Sequence, residues 1–480
     1  MGAPPVSGPA VFSERAAGVL LPVASLPGRH GVGDLGAGAD SFLDWCHAAG
    51  VGWWQVLPVG PVGSGNSPYA SLSAFAGEPL YLSLELLAEE GWLETRDLRA
   101  PGELGKGACD YDAARDFKLP RLARAHERWR SAGGSRRKPW KRFLAASEHW
   151  LDGWLADLEG DERDVAAFVQ FQFDQQWRRL RRRATERGVR LLGDLPIFVG
   201  ADSVDVDQHP QLFRLDRKGN PKVVTGVPPD GFSADGQRWG HPHYAWRAHR
   251  KDGFAWWRRR FAQELERCDA LRVDHFIGFH HAWEIPAGHR TARKGKWGRT
   301  PGAELLDAVQ TERGELPLVA EDLGVVTPPV RALRDRYELP GMRILQFAFG
   351  EGGGYDRPHQ HAANCVAYTG THDNDTTAGW WRKLGRADKA RARAYLGLPA
   401  RGVEPAGAAW AMVCALMASP ARTAVVPVQD LLGLGSEARV NLPGTPRGNW
   451  SWRVDPRALS ASLSARFGAL VEATERLRGA

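Results

Sequence analysis

Cysteine is scarce in this 480-residue sequence. The five present, at positions 46, 109, 268, 365 and 414, are odd in number and lack the paired spacing of a disulfide framework or a zinc site. Reduced thiols in a cytoplasm are the expectation. No run of about twenty apolar residues exists, which excludes a conventional membrane-spanning helix. The first fourteen residues show no basic stretch followed by an apolar one, so no secretory leader is expected. Short internal repeats and low-complexity tracts are also missing. A strong charge imbalance is lacking too: 63 Lys and Arg against 56 Asp and Glu give +7, and the excess is mostly arginine spread along helical stretches. The densest run, 177–187, reads as one solvated helix face, so neither nucleic acid nor a membrane surface is an expected partner. What stands out is tryptophan, with 20 residues. Indole rings pack cores, and they also stack on the apolar faces of sugars in wet grooves.

Eight β-like runs recur along the chain, at 18–26, 53–57, 191–199, 271–276, 316–322, 344–349, 365–373 and 423–430, each followed by a loop and a helical stretch. Such alternation predicts a parallel sheet, and eight strands close a barrel. The expected fold class is therefore α/β, a (β/α)8 TIM barrel forming a single catalytic unit over 1–480. Two insertions interrupt it: a mainly helical subdomain at 84–187 and a loop-rich one at 202–257 covering the active site. A loop at 60–76, containing Asn66-Ser67-Pro68-Tyr69, is long enough to be functional.

One motif competes. Gly31, Gly33 and Gly36 match the dinucleotide fingerprint G-x-G-x-x-G between a strand and a helix at 39–49. That fingerprint also needs a carboxylate about twenty residues on, at the end of the next strand. The next strand ends in Pro58-Val59-Gly60, so the glycines read as a tight loop.

The chemistry concentrates at strand ends. Arg272 and Asp274 lie two residues apart and so share one face of a strand. Asp194, Asp274, Glu321 and Asp373 all fall at or near the C-terminal ends of expected strands, with His372 beside the last. In α/β barrels that rim carries catalysis. Clustered carboxylates repel one another and need a reason. Glycosyl transfer is one: a carboxylate attacks the anomeric carbon and a protonated partner supplies the leaving oxygen with a proton. A hard cation such as Mg²⁺ is another. Cys365, His280, His281, His359 and His361 form no metal-like grouping.

In order and with compatible spacing, Trp53-Trp-Gln-Val-Leu-Pro, Asn66-Ser-Pro-Tyr, Gly193-Asp-Leu-Pro-Ile-Phe-Val, Gly236-Gln-Arg-Trp-Gly, Arg272-Val-Asp-His-Phe, Ala320-Glu-Asp-Leu-Gly, Leu345-Gln-Phe-Ala-Phe, Gly370-Thr-His-Asp-Asn and Gln429-Asp-Leu-Leu-Gly-Leu-Gly resemble the 4-α-glucanotransferases. This is the family of amylomaltases and disproportionating enzymes, relatives of the α-amylases, and the resemblance spans about residues 17–453. It implies a barrel without a C-terminal β-sandwich and with no required metal or organic cofactor. The implied reaction is a retaining transfer of α-1,4-glucan segments between malto-oligosaccharides, which serve as donor and acceptor. By the same resemblance, Asp274 is the nucleophile, Glu321 the general acid/base and Asp373, with His372, the holder of the donor ring hydroxyls. Arg272 would keep the nucleophile ionised and oriented, and Tyr69 and Asp194 would line the same subsite. Gln237 and Trp239 would lie on the loop over the site, and Phe347 beside the acceptor subsites. A retaining mechanism expects the two carboxyl groups about 5–5.5 Å apart, with Glu321 kept protonated by the neighbouring carboxylates. An aromatic acceptor side would favour a sugar over water. The family often has a tyrosine at Gly231 and an aromatic at Ser64, so this chain lacks two stacking surfaces. A glucan hydrolase and a non-catalytic glucan-binding scaffold are the alternatives.

Overall fold

Along each core strand, alternate residues face opposite ways. In the computed structural model, which describes residues 8–229, 233–350, 352–445 and 447–477, the strands in chain order are Ala16–Leu20 (β1), Trp53–Gln55 (β2), Arg190–Pro196 (β3), Val223–Val227 (β4), Gln237–Pro242 (β5), Ala270–Asp274 (β6), His281–Pro286 (β7), Lys296–Arg299 (β8), Leu318–Ala320 (β9), Gly341–Ile344 (β10), Cys365–Tyr368 (β11) and Thr423–Pro427 (β12). Eight of them close a barrel in the order β1-β12-β11-β10-β9-β6-β3-β2, every pair parallel. Ala16, Leu20, Trp53, Leu192, Ala270, Val319, Met342, Ile344, Val366, Tyr368 and Val425 fill its interior. Val19, Trp54, Leu191, Leu271, Val273, Leu318 and Ala367 point outward and pack beneath the helices. Two residues on from Leu192, Ala270 and Val319, the same inward face carries Asp194, Arg272 and Glu321. The alternation that buries the core thus also delivers the charged groups to the C-terminal mouth.

Each barrel strand overlaps an expected run, but several stop short: β1 ends at Leu20 of 18–26, β11 at Tyr368 of 365–373 and β12 at Pro427 of 423–430, and one run is displaced. The run 344–349 is not a strand: β10 ends at Ile344, and Leu345–Phe349 winds as a 3-10 helix. A short apolar run has no periodicity that separates the two outcomes.

Residues 202–257, expected to be loop-rich, contain β4 and β5. These join β7 and β8 in a four-stranded antiparallel sheet of order β5-β4-β7-β8, with an irregularity between Val224 and Gly226. Its strands are short and broken by Gly and Pro, and half of it comes from the chain beyond β6, so no single stretch announces it.

Within 84–187 lie the helices Leu84–Glu89, Tyr111–Ser131, Lys138–Trp154 and Gly160–Glu186. The last of these leads directly into β3. It packs against the helices Ala37–Ala48 and Ala255–Arg267, so it also belongs to the outer ring of the barrel. Beyond β12 the described chain forms turns and one longer helix, Ala461–Ala473, which packs on Ala37–Ala48.

The glycine loop has a packing role. Gly31 has φ +90°, and a Cβ there would meet Ala114 at 2.7 Å; one on Gly33 would meet the Val23 carbonyl at 2.2 Å. The loop is pinned by Lys118, which is fully buried and whose Nζ donates to Asp34 Oδ2 (3.0 Å) and to the carbonyls of Leu80 (2.7 Å) and Leu82 (2.9 Å). Here glycine permits close approach of loop and helix.

Candidate active site

Strand register brings the charges together. Asp194 on β3 is the lateral partner of Arg272 on β6, and Arg272 in turn pairs with Val319 on β9, two residues before Glu321. Arg272 Nη1 donates to both oxygens of Asp194 (2.8 and 2.7 Å) and to Asp274 Oδ1 (3.0 Å), while Nη2 lies 3.2 Å from Glu321 Oε1. Burial opposes the guanidinium charge, but Asp194, Glu321 and Asp274 outweigh it and hold Arg272 well above its ordinary value. It is a fixed cation. Asp194 is 3% exposed. Burial drives its carboxyl up to about 7, with Arg272 opposing and Asp274 adding.

Glu321 has a second anchor. The backbone N–H of His275, a residue in the left-handed region at φ 52°, donates to Glu321 Oε2. The Glu321 carboxyl is raised to about 8, first by burial; Asp274 and Asp373 push the same way while Arg272 and the His275 N–H oppose. Its neighbours were expected to dominate this shift, and desolvation is the larger cause. Three carboxyl groups share one guanidinium, with Asp373 also acting on Glu321, and a proton on Glu321 would relieve the excess of negative charge.

Asp373 lies past the end of β11, 43% exposed in its side chain, and is held from a distance in sequence. Asn441 Nδ2 donates to Asp373 Oδ1 (2.6 Å), Arg439 Nη2 donates to the Asp373 carbonyl (2.5 Å), and the Asn441 N–H donates to the His372 carbonyl (3.1 Å). His372 Nε2 is 3.4 Å from Asp373 Oδ1, and burial keeps the imidazole below its usual value. The Tyr69 ring stacks on His372 at 5.0 Å and 13°, backed by Trp450 at 5.8 Å, and its hydroxyl donates to Asp194 Oδ2 (2.9 Å). An aromatic wall therefore stands between Asp194 and Asp373.

The opposite wall comes from β5. Trp239, half-buried, donates through Nε1 to Gln237 Oε1 (3.2 Å) and sets its ring edge-on to His275 at 4.8 Å. Phe347 sits in the 3-10 turn after β10 and packs over the barrel interior. All ten residues expected at the site thus belong to the barrel strand ends, the loops that follow them, or the β5 wall. Ser64 is exposed in a 3-10 turn at the start of the Asn66-Ser-Pro-Tyr loop, and Gly231 lies outside the described residues.

Four residues were not foreseen as site members. Asn441 and Arg439 hold Asp373. His275 anchors Glu321 through its backbone, and burial pushes its imidazole down to about 4. His241 on β5, also pushed down to about 4 by burial, feels the charges of Asp274 and Asp202. His275 stood in plain view inside Arg272-Val-Asp-His-Phe; the segment bearing Arg439 and Asn441 has no chemical pattern of its own.

A hard cation does not fit the rim, because the Arg272 guanidinium already fills the position among Asp194, Asp274 and Glu321 that a metal would take. Among the described residues, His30, Asp34 and Glu85 have metal-ligand spacing, but there Lys118 Nζ already bonds Asp34.

The family described as 4-alpha-glucanotransferase matches residues 21–158 and 154–458. A 4-alpha-glucanotransferase of Thermus thermophilus is 44% identical over 96% of this chain and 99% of its own length. A chloroplastic/amyloplastic 4-alpha-glucanotransferase of Solanum tuberosum is 41% identical, covering 94% of this chain and 84% of its own. Among solved structures, amylomaltase from Streptococcus agalactiae in complex with acarbose superposes with TM-score 0.91 at 32% identity, covering 97% of this chain and 100% of that one. Amylomaltase from Corynebacterium glutamicum, at 20% identity and TM-score 0.78 over 97% and 76%, shares the fold.

Proposed function

Because the chain belongs to the 4-alpha-glucanotransferase family, we propose that its rim carboxylates divide the labour of a retaining glucan transfer, with Asp274 as nucleophile and Glu321 as acid and base. The reaction itself is disproportionation: a segment of one α-1,4-glucan or malto-oligosaccharide is moved to another through a covalent intermediate. Asp274 attacks the anomeric carbon. The bond from that carbon to the leaving O4 breaks, and the Glu321 proton passes to the leaving oxygen. The acceptor 4-hydroxyl then gives its proton to the Glu321 carboxylate and displaces Asp274, and two inversions give net retention.

The observation that carries this reading is the single guanidinium of Arg272 gripping Asp194, Asp274 and Glu321 at once. It orients the nucleophile without a proton to lose, since arginine stays charged. Asp194, buried beneath it, positions Arg272 and the Tyr69 hydroxyl. Asp373 holds donor-ring hydroxyls with His372 at its side, and Tyr69 offers the ring face between them. Gln237, Trp239 and Phe347 form the acceptor side, where aromatic surface takes a sugar well and orders water poorly. Every group the reaction needs is a side chain, so no cofactor enters the scheme.

We further place the catalytic barrel over the whole chain, with the mainly helical insertion at 84–187 and the insertion at 202–257 covering the site. A cytoplasmic location fits the five free cysteines. Among the described residues, no helix is long and apolar enough to cross a membrane. The acarbose complex of the Streptococcus agalactiae relative supports acarbose binding here.

Maltotriose alone tests the reading. Transfer yields glucose plus a ladder of longer glucans. Asp274→Asn should lower the rate by roughly 10⁶-fold, the scale seen when a covalent nucleophile is removed. Products no longer than maltotriose would mean hydrolysis instead, and a fully active Asp274→Asn variant would remove Asp274 from its role.

A further inference from the structure

The four-stranded sheet, residues 243–245 and the start of the helix Trp246–Lys251 border a second cleft, of about 230 Å³, lined among others by Arg214, Tyr244, Trp246, Arg247, Glu284 and Arg299. It shares no residue with the catalytic rim. The Phe198 ring stands between the two, 5.7 Å from His243 and 6.0 Å from Tyr244 on the cleft side, and 6.5 Å from both Trp239 and His275 on the other.

Three guanidinium groups face this cleft against one carboxylate. Glu284 is already paired with Arg214 and has Lys296 Nζ at 4.0 Å, so its charge is met. Arg247 and Arg299 are exposed, and among the described residues neither is in an ion pair. The remaining charge is positive, in the planar fork geometry that matches a phosphate. One wall is the half-buried Trp246 ring, fixed by Tyr244 at 5.0 Å and stacked on Trp257 at 6.3 Å and 18°. An indole held in this way is a surface for the apolar face of a pyranose. The Arg214–Glu284 pair supplies a donor and an acceptor side by side, as neighbouring sugar hydroxyls require. The volume is below the range of about 300–1,000 Å³ usual for drug-sized ligands, which sets the scale at one sugar ring.

We propose that this cleft is a binding site for a hexose phosphate, with the phosphate between Arg247 and Arg299, the ring on Trp246 and the hydroxyls on Arg214 and Glu284. A neutral glucan would leave both exposed guanidiniums unanswered, and an extended polyanion would meet Glu284.

Calorimetric titration of the full chain with glucose 1-phosphate, inorganic phosphate and maltose tests it. Glucose 1-phosphate should bind with one-to-one stoichiometry, more tightly than inorganic phosphate. Arg247→Gln combined with Arg299→Gln should weaken it by about tenfold or more while the maltotriose ladder forms at an unchanged rate. Both substitutions are at exposed positions, which keeps folding out of the readout. Trp246→Phe should retain part of the sugar contribution, and binding should then fall toward that of inorganic phosphate. Equal affinity of the double variant and the parent for glucose 1-phosphate would place the ligand elsewhere and overturn the proposal. So would inorganic phosphate binding as tightly as the sugar phosphate, maltose displacing it, or no heat of binding up to about 10 mM.

Discussion

Arg272 donates to Asp194 through both carboxylate oxygens and to Asp274, and its second terminal nitrogen reaches Glu321. Through that one side chain Asp274 and Glu321, the proposed nucleophile and acid, are oriented together, and burial favours the protonated form of Glu321. The pH consequence follows in sign. Glu321 is raised to about 8, so the acid form is present at neutral pH and is lost as pH rises through that value. Rates of kcat/KM with maltotriose should therefore fall on an alkaline limb near pH 8; a profile flat to well above pH 9 would contradict this assignment. Asn441 acts at the site although no motif marked it. Its amide donates to the Asp373 carboxylate at 2.6 Å, a bond to a charged group worth about 1.5–3 kcal/mol. Asn441→Ala should lower kcat/KM by about 10- to 100-fold with little change in melting temperature, whereas a variant within twofold of the parent would show that Asp373 needs no such support.

Elements place these residues through pairing that their own sequences do not reveal. The β4–β5 hairpin presents Gln237 and Trp239 to the site only because β4 also pairs with β7, well beyond it in the chain. The glycine loop at 31–36 works the same way: its glycine spacing matches a dinucleotide fingerprint, but its neighbours are Ala114 and the buried Lys118–Asp34 pair. Removing one partner of such a pair strands the other charge. Lys118→Met should cost about 3–5 kcal/mol of stability, measured as a lower urea midpoint. Loss of less than about 1 kcal/mol would mean that loop and helix are held by packing alone.

Over the whole molecule the five cysteines stay apart, four of them buried. Burial pushes Cys109 and Cys365 up to about 12 and Cys46 and Cys268 well above their usual value. The thiolate is the reactive form, so native protein treated with iodoacetamide at neutral pH should keep its transfer activity and take label at most at the half-buried Cys414. Rapid labelling of several cysteines would show that the barrel opens. The chain-long alternation of strands and helices, and the charges two residues beyond inward-facing apolar ones, were legible because period-two patterning is local and survives without tertiary contacts. So were Arg272, Asp274, Glu321 and Asp373, as charges within or after β-like runs, although β11 itself stops at Tyr368, five residues before Asp373. Register was not legible: that Arg272 lies beside Asp194, that Asn441 reaches Asp373 across 68 positions, and that two distant hairpins share a sheet depend on pairings between segments that carry no sign of one another. Local sequence determined which groups stand on the rim; only the closed barrel decided which of them touch, because hydrogen-bond register and desolvation exist only once the strands are side by side.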